Sequence, residues 1–231
     1  MRERFSRGYI EEELREIGEG IDGSLRVYLI GGGAMSFLGL KDATKDIDIV
    51  VTDTSDLTGL ADALESRGYE QVNELDTEYE ELGASVILEN SDRCRFDVFD
   101  RQVADKLIFS EGMEQRADEL LQSGSLTVQL TSPEDIFLFN SVAGRPADID
   151  EMNTLVQTGL EFEAVKQETE VQTELLGEEL FITHIAESLA DLQERHGVTT
   201  PLMDYVESRS EDVYEAGDTD DSEGRSTSIN G

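Results

Sequence analysis

The chain of 231 residues has one cysteine, no tryptophan, three prolines and two histidines. The lone thiol, Cys94, excludes an intramolecular disulfide and leaves a cysteine-built zinc site without its ligands. It stands in a strand-like run, where a packing thiol rather than a nucleophile is expected. The histidines, His184 and His196, fall on predicted helices with no second metal ligand nearby, and read as surface or packing residues. No apolar run approaches the roughly 20 residues that span a bilayer. The charged segment from Met1 to Arg7 also lacks the apolar stretch of a secretory signal. A soluble, cytoplasmic protein with no membrane contact is the expectation.

Positive charge is scarce too. Eighteen basic residues stand against 53 acidic ones, a formal net charge of -35, and the acidic excess runs through every segment. The only lysines are Lys41, Lys45, Lys106 and Lys166, so arginine dominates the basic set. With tryptophan absent, this composition resembles that of salt-in halophiles, haloarchaea above all. In molar salt the Debye length shrinks to about 3 Å, and self-repulsion that would strain the protein in dilute buffer is largely screened. An acidic chain ordinarily lacks the basic stripe that releases counterions from a nucleic acid. At high salt that contribution is small for any protein, so the charge neither supports nor excludes RNA as a partner.

Hydrophobic residues make up 38% of the chain, enough to build a core at this length. Tyr9, Ile10, Leu14 and Ile17 recur at helical spacing and predict a helix over about Ser6 to Ile17. Leu25 to Ile30 reads as a buried strand that the Gly31-Gly32-Gly33 run interrupts, with a short helix from Ala34 to Leu40. A second strand is expected at Asp46 to Val51 and a helix from Leu57 to Arg67 that Gly68 ends. Ala84 to Leu88 and Cys94 to Phe99 predict a hairpin, and a further strand covers Leu126 to Leu130. At Ser132 an N-cap, a proline at the first helical position and acids in the first turn announce a helical region. Helices are expected at about 133 to 143, 147 to 158, 161 to 176, 180 to 196 and 201 to 208. The expected organisation is one body with two lobes, 1–131 and 132–208, followed by a disordered acidic tail over 209–231.

Alternate residues of a strand share a face, so Asp46 and Asp48 project together about 7 Å apart while Ile47 and Ile49 face the core. Two such carboxylates suit a hard divalent cation, which takes oxygen ligands and keeps room for water and phosphate. On its own Asp-x-Asp is a weak signal in so acidic a chain. Gly31 to Gly33 sharpen it, because a glycine turn between strand and helix exposes backbone N–H groups to a phosphate. A tight turn needing positive φ explains the same glycines without any ligand. A dinucleotide fingerprint, with Gly31, Gly33, Ser36 and Asp53, is the rival motif. About seven residues of helix are too few for the crossover it needs. A third carboxylate would complete the ligand set and take the proton of an attacking hydroxyl. Asp97, an acid amid apolar alternation, is the candidate, with Asp100 as the fallback. A plain solvent-facing position on a one-sided sheet would give Asp97 the same pattern.

Leu29-Ile30-Gly31-Gly32-Gly33-Ala34-Met35, followed by Thr44-Lys45-Asp46-Ile47-Asp48-Ile49, resembles the signature of the polymerase-β-like nucleotidyltransferase superfamily. The later Pro133-Glu134-Asp135-Ile136-Phe137, Ala143-Gly144-Arg145 and Asp148-Ile149 resemble the downstream motif of its AbiEii and MenT-type branch, which includes toxins of toxin-antitoxin systems. The resemblance covers about Val27 to Val156. It implies an α/β (α+β) fold, a mixed sheet flanked by helices and followed by a helical lobe. It implies Mg²⁺ (or Mn²⁺)-dependent transfer of a nucleoside monophosphate from a nucleoside triphosphate to a hydroxyl of RNA, tRNA, protein or a small molecule. An antitoxin-like partner belongs to the same implication. By position, Asp46, Asp48 and Asp97 would be the catalytic metal ligands. Gly31, Gly32, Gly33, Thr44 and Lys45 would hold phosphate, and Arg145 and Asp148 would complete the nucleotide site. The chain departs from the branch at Asn140, where a lysine is usual, and at Lys41 and Asp42, near which an arginine is usual. These departures keep open a catalytically reduced protein that binds nucleotide or a protein partner.

The acidic excess predicts a fold that loosens in dilute buffer and is restored by KCl. Circular dichroism across about 0.1 to 3 M KCl, a range over which the Debye length falls several-fold, tests this. Identical spectra throughout would count against the halophile reading.

Overall fold

A computed structural model describes residues 3–72, 83–177 and 179–210. The apolar alternation yields a seven-stranded mixed sheet. Its order is Asp118–Ser123, Leu126–Leu130, Leu25–Ile30, Asp46–Val51, Arg95–Asp100, Val86–Glu89 and Glu70–Gln71. Leu126–Leu130 runs parallel to Leu25–Ile30, and Asp46–Val51 runs parallel to Arg95–Asp100. The remaining neighbours are antiparallel.

The two faces of this sheet differ in chemistry. Val27, Leu29, Ile47, Ile49, Phe96 and Val98 form an apolar face with almost no exposure. The helices Arg7–Glu19 and Thr54–Ser66 cover it, burying Ile10, Leu14, Ile17, Leu60 and Leu64. Each begins on a side-chain cap, Ser6 accepting from the Tyr9 N–H and Asp53 from the Ser55 N–H. The Asp53 cap explains why the second of them starts three residues before its apolar pattern does. The other face carries Tyr28, Ile30, Asp46, Asp48, Arg95, Asp97 and Phe99. Its cover is helical, with the Phe109 ring packed between Tyr28 and Phe139 at centroid separations of 4.6 and 6.2 Å.

The helices Pro133–Ala143, Pro146–Val156, Phe162–Leu176 and Leu180–His196 lie where apolar spacing predicts them, and 203–210 is also helical. The first of them has the anticipated Ser132 cap, Pro133 and acidic first turn, and ends at Gly144 with φ 63°. One continuous core runs from Phe5 to Val206, so the helical region packs directly against the sheet. Asp118–Ser123 is an unanticipated strand: it is an edge strand in which only Leu121 is buried, so its sequence carries little apolar alternation. The expected acidic tail, apart from residues 209 and 210, lies outside the described residues. Among the described residues no helix is long and apolar enough to cross a membrane.

A buried ion triad ties the helical cover together. Arg116 donates to Asp135 at 2.7 and 3.1 Å and to Glu168 at 2.5 Å, and both carboxylates are about 1% exposed. Burial pushes the Asp135 pKa up, and the bonds from Arg116 oppose that shift. Beside it, the Gln172 side chain pairs with the backbone of Ile108, accepting at 2.8 Å and donating at 2.7 Å. Removing one partner of a buried charge cluster leaves the others desolvated and unpaired, at a cost of about 3–5 kcal/mol. Arg116→Met should therefore lower the unfolding free energy by about that amount in urea titrations. Arg116→Lys should recover only part of it, because an ammonium cannot reproduce the bidentate fork. A loss within the scatter of an ordinary surface substitution would show that the triad contributes no net stability.

Candidate active site

The chain leaves Leu25–Ile30 and enters a seven-residue helix, Gly31–Phe37, directly through its glycines. Gly31 has φ +57°, and a Cβ there would meet Asp48 Oδ2 at 2.6 Å. At Gly32 a Cβ would meet Thr44 Oγ1 at 2.5 Å and Lys41 Nζ at 2.8 Å, whereas at Gly33 it would meet the Leu29 side chain at 3.1 Å. Two of the three glycines thus let polar side chains approach the backbone, and the third lets the helix pack on the core. The rival dinucleotide-binding unit fails on topology. It needs parallel strands joined by a full crossover helix, and Leu25–Ile30 is antiparallel to Asp46–Val51.

Register assembles the acids. Asp48 lies opposite Asp97 and Asp46 opposite Arg95 in the parallel pair, and Ile30 lies opposite Asp48 on the other side. Directly opposed residues of neighbouring strands share a face, so Asp46, Asp48 and Asp97 lie on the same face of the sheet. Asp97 is about 1% exposed, so it does not sit on a solvent-facing sheet surface. Asp100 points to the opposite face and accepts from Thr54 Oγ1 at 3.0 Å, away from the other acids. Burial pushes the Asp48 pKa well above the usual carboxylate range, and the negative charges of Asp97 and Asp46 add to the shift. Arg145 and Arg95 oppose it.

Arg95 has no counterpart among the residues anticipated from the sequence. Its Nε and Nη2 each donate to one Asp97 oxygen at 2.5 Å, and Nε lies 3.8 Å from Asp46 Oδ1. The period-2 rule contained the signal, because Arg95 precedes Asp97 by two residues on the same strand and must share its face.

The helical cover supplies the opposite wall. Arg145 pairs with Asp148 through Nε and Nη2 at 2.8 and 2.9 Å, and Asp148 also accepts the Arg145 backbone N–H at 2.9 Å. The Asp148 bond, aided by the charge of Asp48, holds the Arg145 pKa above its ordinary value. Glu151 forms an ion pair with Lys41 and accepts from Asn140 Nδ2 at 3.4 Å. Between the walls lies a cavity of about 470 Å³. Gly31, Gly32, Thr44, Lys45, Asp46, Asp48, Asp97, Arg145 and Asp148 all line it, and Gly33 does not. Phe99, Val103, Ala104 and Phe139 make one side apolar. His196 instead contacts Asp150 and His184 contacts Glu187, and neither lines the cavity.

Asp46, Asp48 and Asp97 line the same cavity, and carboxylate oxygens are the donor type that a hard divalent cation takes. Among the described residues no group of three or more His, Cys, Asp or Glu side chains is placed to hold a metal ion. Arg95 fills the space between Asp97 and Asp46 and supplies the compensating positive charge.

A mixed sheet whose glycine turn abuts a strand of paired aspartates, with a third acid on the neighbouring parallel strand, defines a nucleotidyltransferase-like fold. Residues 9–180 match the family described as "Nucleotidyltransferase of unknown function (DUF6036)", and the chain belongs to that family. A search of curated proteins finds no match.

The contact of Gly31 with Asp48 can be separated from backbone strain. Gly39 also has positive φ, at +75°, but faces open space. Gly39→Ala should show the left-handed backbone penalty alone, about 1–2 kcal/mol. Gly31→Ala should be destabilised more, because its methyl collides with the Asp48 carboxylate. Equal melting temperatures for the two variants would mean that Asp48 moves aside freely.

Proposed function

We propose that this protein is a metal-dependent nucleotidyltransferase, moving a nucleoside monophosphate from a nucleoside triphosphate to a hydroxyl acceptor as the bond between the α- and β-phosphates breaks and pyrophosphate leaves. The supporting observation is the register of Asp48 against Asp97 beside the Gly31 turn, within one cavity. Family membership supports the same class.

In this reading Asp46, Asp48 and Asp97 would hold Mg²⁺ or Mn²⁺, which would supply positive charge to the phosphate oxygens. Asp97 faces the acceptor hydroxyl and takes its proton, and the two bonds from Arg95 fix the orientation of its carboxylate. Gly31 and Gly32 leave space for phosphate beside Thr44 and Lys45, and Arg145 adds positive charge from the helical wall. The apolar side of Phe99, Val103, Ala104 and Phe139 receives an uncharged part of a substrate and excludes water from it. The resemblance to the AbiEii and MenT-type branch extends the proposal to a cytoplasmic toxin-antitoxin component with RNA or protein as acceptor and an antitoxin-like partner. A second reading, a nucleotide-binding or partner-binding protein without turnover, is favoured by the Arg95 grip on Asp97 and by Asn140 on the cavity wall.

Replacing Asp46 and Asp48 together by Asn should abolish Mg²⁺-dependent transfer and leave the fold intact. The amide keeps the shape but loses the charge that holds a hard cation. Thermal stability should hold or rise, since relaxing a crowded functional site is often stabilising. The assay incubates the protein with Mg²⁺, each labelled ribonucleoside triphosphate and total RNA or lysate, in dilute buffer and in multimolar KCl. If the unaltered protein labels nothing and both proteins bind triphosphate equally, the enzyme reading is withdrawn in favour of the second.

A further inference from the structure

We propose that Lys41 is a triphosphate-binding residue, and that Glu151 is the carboxylate that holds its ammonium over the glycine turn until a phosphate replaces it. The proposal rests on the nucleotidyltransferase reading and assigns a role within that same site.

Lys41 belongs to the connector between the glycine helix and the aspartate strand. Its Nζ lies 2.8 Å from the position a Gly32 Cβ would occupy, beside Thr44 Oγ1 at 2.5 Å from the same point. The ammonium therefore lies against the glycine backbone, where a phosphate in this cavity would meet it. Its partner Glu151 comes from the opposite wall, on the helix Pro146–Val156, 110 residues away in sequence. Both side chains are largely covered, at 28% and 16% exposure. The pair thus spans the cavity.

The chemistry of the pair favours exchange over a permanent strap. A carboxylate oxygen accepts from an ammonium much as a phosphate oxygen does, and an ammonium has three donors, so it can turn toward a new anion without a gap in its bonding. Lysine is a point charge on a flexible stem, whereas a rigid bidentate joint calls for arginine. This chain uses arginine for such joints: Arg95 on Asp97, Arg116 on Asp135 and Arg145 on Asp148. Of its four lysines, Lys41 and Lys45 both line this cavity. Asn140 donates to the second Glu151 oxygen and keeps that carboxylate hydrogen-bonded when Lys41 turns away.

The two roles predict effects of different sign. A structural strap cut from either end loosens the cavity, and both substitutions weaken binding. A phosphate site held by a competing carboxylate responds in opposite directions. Lys41→Gln should weaken triphosphate binding by about tenfold or more, the scale of one lost charge-assisted hydrogen bond. Glu151→Gln should tighten it by about threefold or more, because it frees the ammonium and removes a negative charge from the path of the phosphate. Titration calorimetry of the full chain with Mg²⁺ would use inorganic triphosphate and each ribonucleoside triphosphate as probes, with urea titrations alongside. Lys41→Arg, which keeps the charge, should bind within a few-fold of the unaltered protein and serves as the second variant if Lys41→Gln does not fold. Binding by the unaltered protein that Lys41→Gln leaves unchanged, or weakening in both variants, would overturn this proposal and leave the nucleotidyltransferase reading standing. Failure of the unaltered protein to bind any of these probes would overturn both.

Discussion

The site depends on one constraint: a buried carboxylate, Asp97, and a half-buried one, Asp48, are opposed in a parallel strand pair, with Asp46 one alternation away. Like charges this close raise each other's energy steeply in a medium of low dielectric. Placing them there requires compensation. The same register provides it by setting Arg95 opposite Asp46 and two residues before Asp97. A one-residue slip between these strands would turn the charged face into the hydrophobic core. Ile47, Ile49, Phe96 and Val98 resist that slip, because they must stay against the helices Arg7–Glu19 and Thr54–Ser66. The apolar side of the sheet therefore determines where the charges go.

The helical cover completes what the sheet begins. A sheet alone would leave the acids in water, where the pKa of Asp48 would be close to that of an ordinary carboxylate. Packing Phe139 against Phe109, which in turn packs on Tyr28, brings the helix Pro133–Ala143 over that face. The Gly144 turn then aims Arg145 and Asp148 into the cavity. Both walls are anchored by ion pairs, Arg145 with Asp148 on one side and Arg95 with Asp97 on the other. The glycine turn is the meeting point, since its two cavity-lining residues leave room for Asp48, Thr44 and Lys41.

The elements most legible from sequence were those whose pattern is set by one buried face. Leu25–Ile30, Asp46–Val51 and the helices from Pro133 onward follow directly from apolar spacing and caps. The convergence of Asp46 with Asp48 was legible for the same reason, as period 2 fixes it locally. The pairing of Asp97 with Asp48 is not local, because it depends on which strands become neighbours and in which register. Sequence alone therefore left Asp100 as a fallback that the structure turns to the other face. The Lys41–Glu151 pair was hidden for a stronger version of that reason: it joins a connector to a helix 110 residues away. The edge strand Asp118–Ser123 escaped notice because hydrogen bonding to Leu126–Leu130, rather than an apolar face of its own, makes it a strand.

Scarcity of positive charge then becomes informative about placement. With 18 basic residues against 53 acidic ones, the carboxylates outnumber the protein cations, and the excess negative charge must be balanced by ions in solution. Dissolved ions can screen an exposed carboxylate, but they screen buried groups much less. Arg95, Arg116, Arg145 and Lys41 each pair with an acid whose side chain is between about 1% and 16% exposed. Lys41 and Arg145 line the cavity, Arg95 holds an acid that lines it, and Arg116 joins the helices of the cover. These four cations pair with acids that mobile salt is least able to reach, whereas Arg15, Arg67 and Arg195 pair with acids at more exposed positions. That distribution keeps the internal electrostatics of the site set by protein groups, while the outer surface is left to respond to the ionic strength around it.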